Sequence, residues 1–391
     1  MRFFVDEIHE SLNHFGEELC GDKVEVVRQD DGFVMVLADG LGSGVKANIL
    51  STLTSKIIAT MLSEGGTLDD AVSTITATLP VCSERNLAYS TFTIITVDKE
   101  GYTSITEFDN PLCVVYRDDK PFYVHREQID VFGKNIYVSN FQAETGDKIV
   151  SFSDGVVHAG VGSLLDLGWM YDNVVKYVDD IVKKGNNIRS ILRDILNTVS
   201  SFYLDKPGDD STVSVIEFKK SVKGTIMVGP PMRKDLDHEV VSKLVNSEGY
   251  KIVCGGTTSQ IVANELNEEV EVMIDYESPQ LPPTAVIKGI DLVTEGVLTL
   301  GKAVQILQEM NDEDTETRLK SFAIHKKDGA SKLAKMLCEE CTDVSFLVGR
   351  AINPAHQNPD LPISLNLKLQ LVKECAAQLE KMGKRVNITY Y

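Results

Sequence analysis

The chain has 391 residues, of which 43% are hydrophobic and 25% are charged. This composition is typical of a soluble globular protein, and the length predicts two domains. The formal net charge is −19 at pH 7, and because such an acidic surface repels a phosphate backbone, the charge argues against nucleic-acid binding.

Three features of the sequence predict a cytoplasmic protein without a membrane segment. No apolar run approaches the roughly 20 residues that span a bilayer. The first ten residues already contain acids and a histidine, which a secretory signal would not carry. The seven cysteines follow no framework, so they predict free thiols in a reducing compartment.

The first 80 residues predict a helix, two strands and two more helices, in that order. The first helix is predicted before residue 22. Residues 22–40 hold two apolar runs of strand length around a Gln-Asp-Asp-Gly turn signal. Apolar residues then recur with a helical period over residues 45–62. Thr67 is a suitable N-cap for a further helix over residues 67–79.

The remaining sequence changes character near residue 220. Residues 88–153 contain short β-rich runs between turn signals, which predict an antiparallel meander, and two helical segments and one more strand follow. This grouping predicts an α+β domain over residues 1–220. Beyond it, the apolar runs TIMVG, YKIVCGG and TAVIKG alternate with helical segments. That alternation predicts a Rossmann-like α/β domain with a parallel sheet over residues 221–391.

Four aspartates share one context, since each lies beside a glycine at an end of an apolar strand. They are Asp22 in CGDKVEVV, Asp39 in VMVLADGLGSG, Asp154 in KIVSFSDGVV and Asp209 in PGDDSTVSVI. Any one of them alone is explained by an ordinary turn. Carboxylates at converging strand ends, however, form the all-oxygen sites that Mg²⁺ and Mn²⁺ prefer.

A dinucleotide fingerprint is the rival interpretation of the segment around Asp39. Strand, glycine-rich turn and helix are the right context, but the spacing is G-x-G-x-G instead of G-x-G-x-x-G. An aspartate at the strand tip would also repel a pyrophosphate. His158, four residues beyond Asp154, is a further candidate as a general acid, for which a structural role is the simpler alternative.

The four motifs, in this order, resemble the metal-dependent protein serine/threonine phosphatase family (type 2C) over residues 1–220. Within it, the sequence is most similar to the bacterial SpoIIE and stress-response branch. The resemblance implies an antiparallel β-sandwich flanked by helices, in the order α-β-β-α. It also implies that phosphoserine or phosphothreonine on a protein is hydrolysed by a water activated between two Mn²⁺ or Mg²⁺ ions.

The resemblance further assigns roles to individual residues. Asp39 would bridge the two ions, and the catalytic residues would be Asp39, Asp154 and Asp209. The metal ligands would be Asp22, Asp39, Gly40 through its carbonyl, Asp154 and Asp209. Within the branch, an anti-sigma-factor antagonist is a common phosphorylated substrate. The chain departs from the family pattern in the segment DNPLCVV, and no phosphate-binding arginine is evident near Asp22.

The second domain contains one candidate ligand site, in the segment YKIVCGGTTSQIVANEL. Its residues Gly255, Gly256, Thr257, Thr258 and Ser259 join a strand to a helix. Exposed amides at a helix N-terminus bind anions, although threonine and serine there also act as simple caps. The second domain is therefore predicted to bind a small anionic ligand and to regulate the phosphatase. The alternative function is a catalytically weak scaffold or sensor in which this domain, binding an anion or a partner protein, carries the activity.

Overall fold

A computed structural model describes most of the chain, which divides into two compact units, Met1–Lys220 and Ser221–Tyr391. The described residues are 3–29, 32–78, 90–131, 134–273, 283–312, 314–322, 328–351 and 363–391. Within these ranges, no helix combines the length and the apolar character needed to traverse a bilayer.

The first unit combines antiparallel strands with helices. Its strands are β1 (Phe4–Leu12), β2 (Asp22–Arg28), β3 (Gly32–Gly40), β4 (Ser90–Asp98), β5 (Tyr102–Phe108), β6 (Val114–Arg117), β7 (Lys120–Pro121), β8 (Arg126–Val131), β9 (Lys134–Gln142), β10 (Lys148–Phe152) and β11 (Ser211–Lys219). Its helices are α1 (Gly44–Ser63), α2 (Leu68–Thr78), α3 (Asp154–Val157), α4 (Tyr171–Val182) and α5 (Ile188–Phe202).

Two antiparallel sheets form the centre of this unit. One has the strand order β1-β11-β10-β6-β7 and the other β2-β3-β4-β5-β9-β8. A single apolar cluster joins them, with Ile149 and Ile216 from the first sheet and Met35 and Leu37 from the second. Strands that alternate inward and outward residues can bury one face each in this way. The predicted antiparallel sheets of residues 1–220 are confirmed.

Helices cover the outer faces of both sheets. Ile58 of α1 and Ala71 of α2 pack with Val36 and Ile94 of the six-stranded sheet. On the other side, α5 packs against β1 and β11. The predicted N-cap of α2 is also present, because the Thr67 hydroxyl accepts a hydrogen bond from a backbone N–H one turn into the helix at 3.1 Å. The unit therefore has the layer order helix, sheet, sheet, helix.

The prediction of a helix before residue 22 is wrong, because this segment forms the strand β1. It pairs antiparallel with β11, from Phe4 opposite Lys219 to Leu12 opposite Ser211. The neighbouring Phe3 and Val5 join the core between the sheets. The pairing partner lies about 200 residues away in sequence, so nothing local could reveal that backbone hydrogen bonds were available there.

The second unit is built around one mixed sheet. Its strands are β12 (Lys223–Val228), β13 (Tyr250–Cys254), β14 (Glu271–Val272), β15 (Ala285–Val286), β16 (Leu292–Thr294), β17 (Asp343–Val348) and β18 (Arg385–Tyr390). Its helices are α6 (Asp237–Val245), α7 (Gly256–Leu266), α8 (Val297–Met310), α9 (Thr315–Ser321), α10 (Gly329–Lys335) and α11 (Ile363–Lys381).

The strand order of this sheet is β14-β15-β16-β13-β12-β17-β18. The strands β16, β13, β12, β17 and β18 are parallel to one another, as the alternation of strands and helices predicts. The segment TAVIKG, predicted as a parallel strand, instead forms the short β15, which is antiparallel to β16. The third parallel strand is β16, a few residues later. Numbered by their position along the chain, the parallel strands therefore lie across the sheet in the order third, second, first, fourth, fifth.

Candidate active site

Asp22 and Asp39 lie directly opposite each other at one end of the six-stranded sheet. Asp22 is the first residue of β2, and Asp39 is the last but one residue of β3. The two are register partners in the antiparallel pair, and facing side chains of this kind have Cβ atoms about 5 Å apart. Two like charges in that position repel each other, so the arrangement is unfavourable unless a proton or a cation lies between them.

Asp154 and Asp209 lie at the ends of neighbouring strands in the other sheet. Asp154 is the first residue of α3, directly after β10, and Asp209 precedes β11. Two hydrogen bonds hold these strand ends together, from the Ser153 N–H to the Thr212 carbonyl at 2.9 Å and from the Thr212 N–H to the Ser153 hydroxyl at 2.8 Å. The strand ends that carry the two aspartates are thus fixed relative to one another by one main-chain hydrogen bond and one hydrogen bond to the Ser153 side chain.

Thr212 also connects β11 to Asp22 across the sandwich. Its hydroxyl donates to Asp22 Oδ2 at 2.7 Å. The other oxygen, Asp22 Oδ1, is buried and has no hydrogen-bond donor of ordinary geometry in the described part of the chain, although the Ser153 side chain lies close enough to stabilise the carboxylate. A buried carboxylate oxygen without a donor is costly, by about 1–3 kcal/mol or more for a charged group. Asp22 is therefore held in place on one side and unsatisfied on the other.

Two glycines of the predicted motifs allow close backbone contacts around the aspartates. A Cβ on Gly40 would overlap the carbonyl oxygen of Ala47 in α1, and a Cβ on Gly155 would overlap the carbonyl oxygen of Asp210. The hydroxyl of Tyr203 fixes the second position by donating to the Gly155 carbonyl at 3.1 Å. The glycines that follow Asp39 and Asp154 are thus required by packing, which explains the Asp-Gly pattern at these two positions.

A cleft of about 400 Å³ opens at this end of the sandwich. Three of the four predicted aspartates line it together with small and hydroxylated residues. The lining residues are His14, Asp39, Leu41, Gly42, Ser43, Ser90, Thr91, Asp154, Gly208 and Asp209. Asp22 is almost completely buried, and neither Asp22 nor Gly40 is among the described residues that line the cleft.

Burial, together with repulsion between carboxylates, raises the pKa values of Asp22, Asp39 and Asp209. Burial, followed by repulsion from Asp22, Asp154 and Asp209, raises the pKa of Asp39 to about 10. Burial is also the main cause that raises the pKa of Asp22 to about 7. Burial and repulsion from Asp154 raise the pKa of Asp209 to about 6. A cation would relieve this repulsion, because it favours the ionised form of each carboxyl group.

The donor chemistry of the cluster fits hard divalent cations. Its groups are carboxylates, which Mg²⁺ and Mn²⁺ prefer, and the unsatisfied Asp22 Oδ1 and the raised pKa values are what a cation would correct. As they stand, no three His, Cys, Asp or Glu side chains in the described part of the chain are arranged to hold a metal ion. Small carboxylate movements, or bridging waters, would therefore accompany binding.

Two residues near the aspartates were not predicted from the sequence. Asp210 is buried, and its Oδ1 accepts the backbone N–H of His14 at 2.9 Å. This contact brings His14 to the cleft. The predicted candidate His158 is exposed and is not among the described lining residues. The only sequence signal for His14 was its position in the loop before the Cys-Gly-Asp motif.

In the second unit, the predicted glycine-rich segment joins β13 to α7. Gly256 and Thr257 are exposed at the start of the helix, whereas Thr258 and Ser259 are buried. The Ser259 hydroxyl donates to the Gly255 carbonyl at 2.8 Å. The side chains of Thr258 and Ser259 are thus turned away from solvent, and Gly256 and Thr257 are the accessible positions.

Comparisons with known proteins support a phosphatase relationship for the first unit. Residues 29–219 match the family model described as Stage II sporulation protein E (SpoIIE). No curated protein matches the chain at a significant level. His14 and Asp22 precede the matched residues.

Several solved structures are similar to part of the chain. The phosphatase domain with a fragment of the regulatory domain of SpoIIE from Bacillus subtilis is 19% identical, with a TM-score of 0.47 and coverage of 56% of this chain and 63% of that one. The RsbU and RsbW domains of a Mycobacterium tuberculosis protein are 16% identical, with a TM-score of 0.47 and coverage of 61% and 68%. RsbX in complex with magnesium is 19% identical, with a TM-score of 0.40 and coverage of 55% and 96%.

The chain therefore spans less than two thirds of the Bacillus subtilis fragment. At these identities and TM-scores, the similar structures carry no argument about activity, and the assignment depends on the sequence match and its motifs. The first unit of this chain belongs, over residues 29–219, to the SpoIIE family of type 2C protein phosphatase domains.

Proposed function

We propose that the first unit is a cytoplasmic, metal-dependent phosphatase that hydrolyses phosphoserine or phosphothreonine on a protein. The observation that carries this proposal is the meeting of Asp39, Asp154 and Asp209 in one cleft, with Asp22 directly opposite Asp39 on the neighbouring strand. Four carboxylates from two sheets have no evident structural purpose, because their mutual repulsion destabilises the fold. A site that concentrates negative charge although this lowers the stability of the fold is typical of a functional centre.

Each aspartate has a distinct part in the proposed site. Asp39 projects from the tip of β3 into the cleft and interacts electrostatically with Asp22, Asp154 and Asp209, so it would be the central ligand for the metal ions. Thr212 orients Asp22 through its 2.7 Å hydrogen bond. Asp154 and Asp209 would complete the set of oxygens from the other sheet.

Mg²⁺ or Mn²⁺ held by these oxygens would supply an activated water and would neutralise charge on the phosphoryl group. The chain itself contributes position, since strand ends and main-chain hydrogen bonds fix the carboxylates. The Ser90 hydroxyl strengthens this by donating to the Asp39 carbonyl at 2.8 Å. Asp39 is thereby anchored through its backbone while its carboxylate faces the cleft.

The first experiment measures phosphate release from a phosphoserine peptide with added Mn²⁺ or Mg²⁺. We expect wild-type activity that EDTA abolishes, and a loss of at least about 100-fold in Asp39→Asn, as is common when a group that acts only in the transition state is removed. Asp180→Asn is the matched control, because Asp180 is exposed on α4. Activity that survives in Asp39→Asn, or that does not need metal, would contradict the proposal.

The substrate class is tested separately. Free phosphorylated metabolites should be poorer substrates than a phosphoprotein, because a protein offers binding contacts beyond the phosphoryl group. A phosphorylated anti-sigma-factor antagonist is the substrate that the family resemblance suggests. Faster hydrolysis of a small phosphometabolite than of any phosphoprotein would move the proposal to a metabolic phosphatase.

For the second unit we propose a Rossmann-like domain that binds a small anionic ligand and regulates the phosphatase. The strand order and the exposed Gly256 and Thr257 at the start of α7 support this, since helix N-termini at the carboxyl ends of parallel strands bind anions. Calorimetric titration with glucose 6-phosphate and with inorganic phosphate tests it. Thr257→Asp should abolish binding by placing a negative charge at the helix start. Binding of neither probe would favour a purely structural unit.

A further inference from the structure

His14 is held against the loop that carries Asp209. Its backbone N–H donates to Asp210 Oδ1 at 2.9 Å, and the next N–H, from Phe15, donates to the Pro207 carbonyl at 2.8 Å. The Lys206 ammonium group also lies 5.3 Å from the centre of the Phe15 ring. These contacts with residues 206–210 hold the His14 backbone in place. The position of His14 at the cleft is therefore fixed by specific interactions.

Within the described ranges of the chain, the imidazole of His14 lacks the partner that a structural histidine normally has. Its Nδ1 is buried and makes no hydrogen bond to any of these residues. By contrast, Nδ1 of His9 contacts Glu7 at 2.7 Å, and Nδ1 of His238 contacts Glu265 at 2.9 Å. A buried polar atom without a partner destabilises a protein, and such atoms in native structures call for an explanation such as a ligand.

The cleft needs a donor if it is to bind a phosphoryl group. Among the described residues that line it, His14 is the only one with a basic side chain. Two of the hydroxyl donors are already used, because Ser90 donates to the Asp39 carbonyl and Thr91 donates to Asn110 Oδ1 at 2.7 Å. The third hydroxyl, that of Ser43, makes no cap hydrogen bond but is neutral, so the basic imidazole is the side chain best suited to donate to an anionic oxygen.

We propose that His14 binds the phosphoryl group of the substrate by donating an imidazole N–H to one of its oxygens. This inference depends on the proposed phosphatase function, and it identifies a substrate-binding residue that the four-aspartate pattern does not contain. His14 also precedes residues 29–219, which match the family model. The residue would supply the contact for which no arginine near Asp22 was evident from the sequence.

Kinetics with the phosphoserine peptide provide the first test. His14→Ala should lower kcat/KM roughly 10- to 100-fold, the usual value of one hydrogen bond to a charged group, mainly through a higher KM. His14→Asn and His14→Gln each keep an N–H donor near one ring nitrogen, so one of them should recover part of the loss. His158→Ala is the matched control and should behave as wild type, because His158 is exposed.

Unfolding measured by Trp169 fluorescence separates binding from folding. Trp169 is the single tryptophan of the chain and is buried in the first unit. If His14 binds substrate, His14→Ala unfolds at a urea concentration close to that of the wild type. A kcat/KM within twofold of the wild type, or an equal loss in His158→Ala, would overturn the proposal.

A binding measurement without turnover distinguishes this inference from the phosphatase proposal. Inorganic phosphate is titrated into the full-length protein with Mg²⁺ present, and the ¹³C-labelled histidine ring signals are followed by NMR. The His14 signal, identified by its loss in His14→Ala, should shift in a saturable way while that of His158 does not. If it shifts but no phosphopeptide is hydrolysed, only the phosphatase proposal fails. If it does not shift, the role of His14 is refuted even in an active enzyme.

Discussion

Replacing Asp39 by asparagine should stabilise the metal-free first unit even though it removes the proposed bridging ligand. Burial and repulsion from the other aspartates raise the pKa of Asp39 to about 10, whereas an aspartate in an unfolded chain has a pKa of about 3.9. Asparagine has nearly the same shape but carries no charge. The variant therefore keeps the packing and avoids the electrostatic penalty.

The size of the effect follows from the difference between the two pKa values. A folded-state pKa above the unfolded one destabilises the fold progressively as the pH rises from about 4 to about 10. The upper limit of this penalty is about 2 kcal/mol at pH 5 and about 6 kcal/mol at pH 8. Solvent in the cleft screens part of the repulsion, so we expect an advantage of about 2–4 kcal/mol for Asp39→Asn at pH 8.

The assay is urea unfolding in EDTA, followed by the fluorescence of Trp169. This tryptophan packs against Tyr177 and Phe202 at ring distances of 5.3 Å, so its signal reports the first unit alone. The free energy of unfolding is compared at pH 5 and pH 8 for the wild type, Asp39→Asn and the exposed control Asp180→Asn. Added Mg²⁺ should then stabilise the wild type but not Asp39→Asn, because a ligand stabilises only the state that binds it.

Two results would refute this reasoning. One is an Asp39→Asn variant that is no more stable than the wild type at pH 8 in EDTA, which would mean that the carboxylates do not repel one another appreciably. The other is a stability advantage of Asp39→Asn that decreases as the pH rises. That result would mean that folding lowers the pKa of Asp39 instead of raising it. An equal gain in Asp180→Asn would show that the effect comes from net charge instead of the cluster.

Other positions give further tests of the site and its support. Gly40→Ala places a Cβ against the carbonyl oxygen of Ala47, so it should destabilise the first unit by about 1–3 kcal/mol, measured by urea unfolding. Thr212→Val removes the 2.7 Å donor to Asp22, and we expect weaker Mg²⁺ binding in calorimetry with an unchanged fold; equal affinity would count against Asp22 as a ligand. Tyr116→Phe removes a 2.7 Å hydrogen bond from β6 to a carboxylate on α4. This should lower the free energy of unfolding by about 1–3 kcal/mol, and an unchanged value would show that the bond is absent in solution.

The sequence alone predicted much of the site because the relevant signals are local. Only glycine fits after Asp39, because a Cβ there would overlap α1. Only glycine fits after Asp154, because a Cβ on Gly155 would overlap the carbonyl oxygen of Asp210. Each aspartate therefore carried its own strand-end signature. Asp39, Asp154 and Asp209 indeed line one cleft. Their roles in metal binding and catalysis remain predictions.

The tertiary structure alone decided which distant residues support those aspartates. The strand β1 exists because β11 offers it backbone partners, which no local periodicity can indicate. The same applies to Thr212 at Asp22 Oδ2 and to Asp210 at the His14 N–H, contacts that join segments about 190 residues apart. Local pattern determined the strands, turns and acidic residues, whereas long-range hydrogen bonding determined their partners, because a donor and an acceptor far apart in sequence become neighbours only once the sheets have packed.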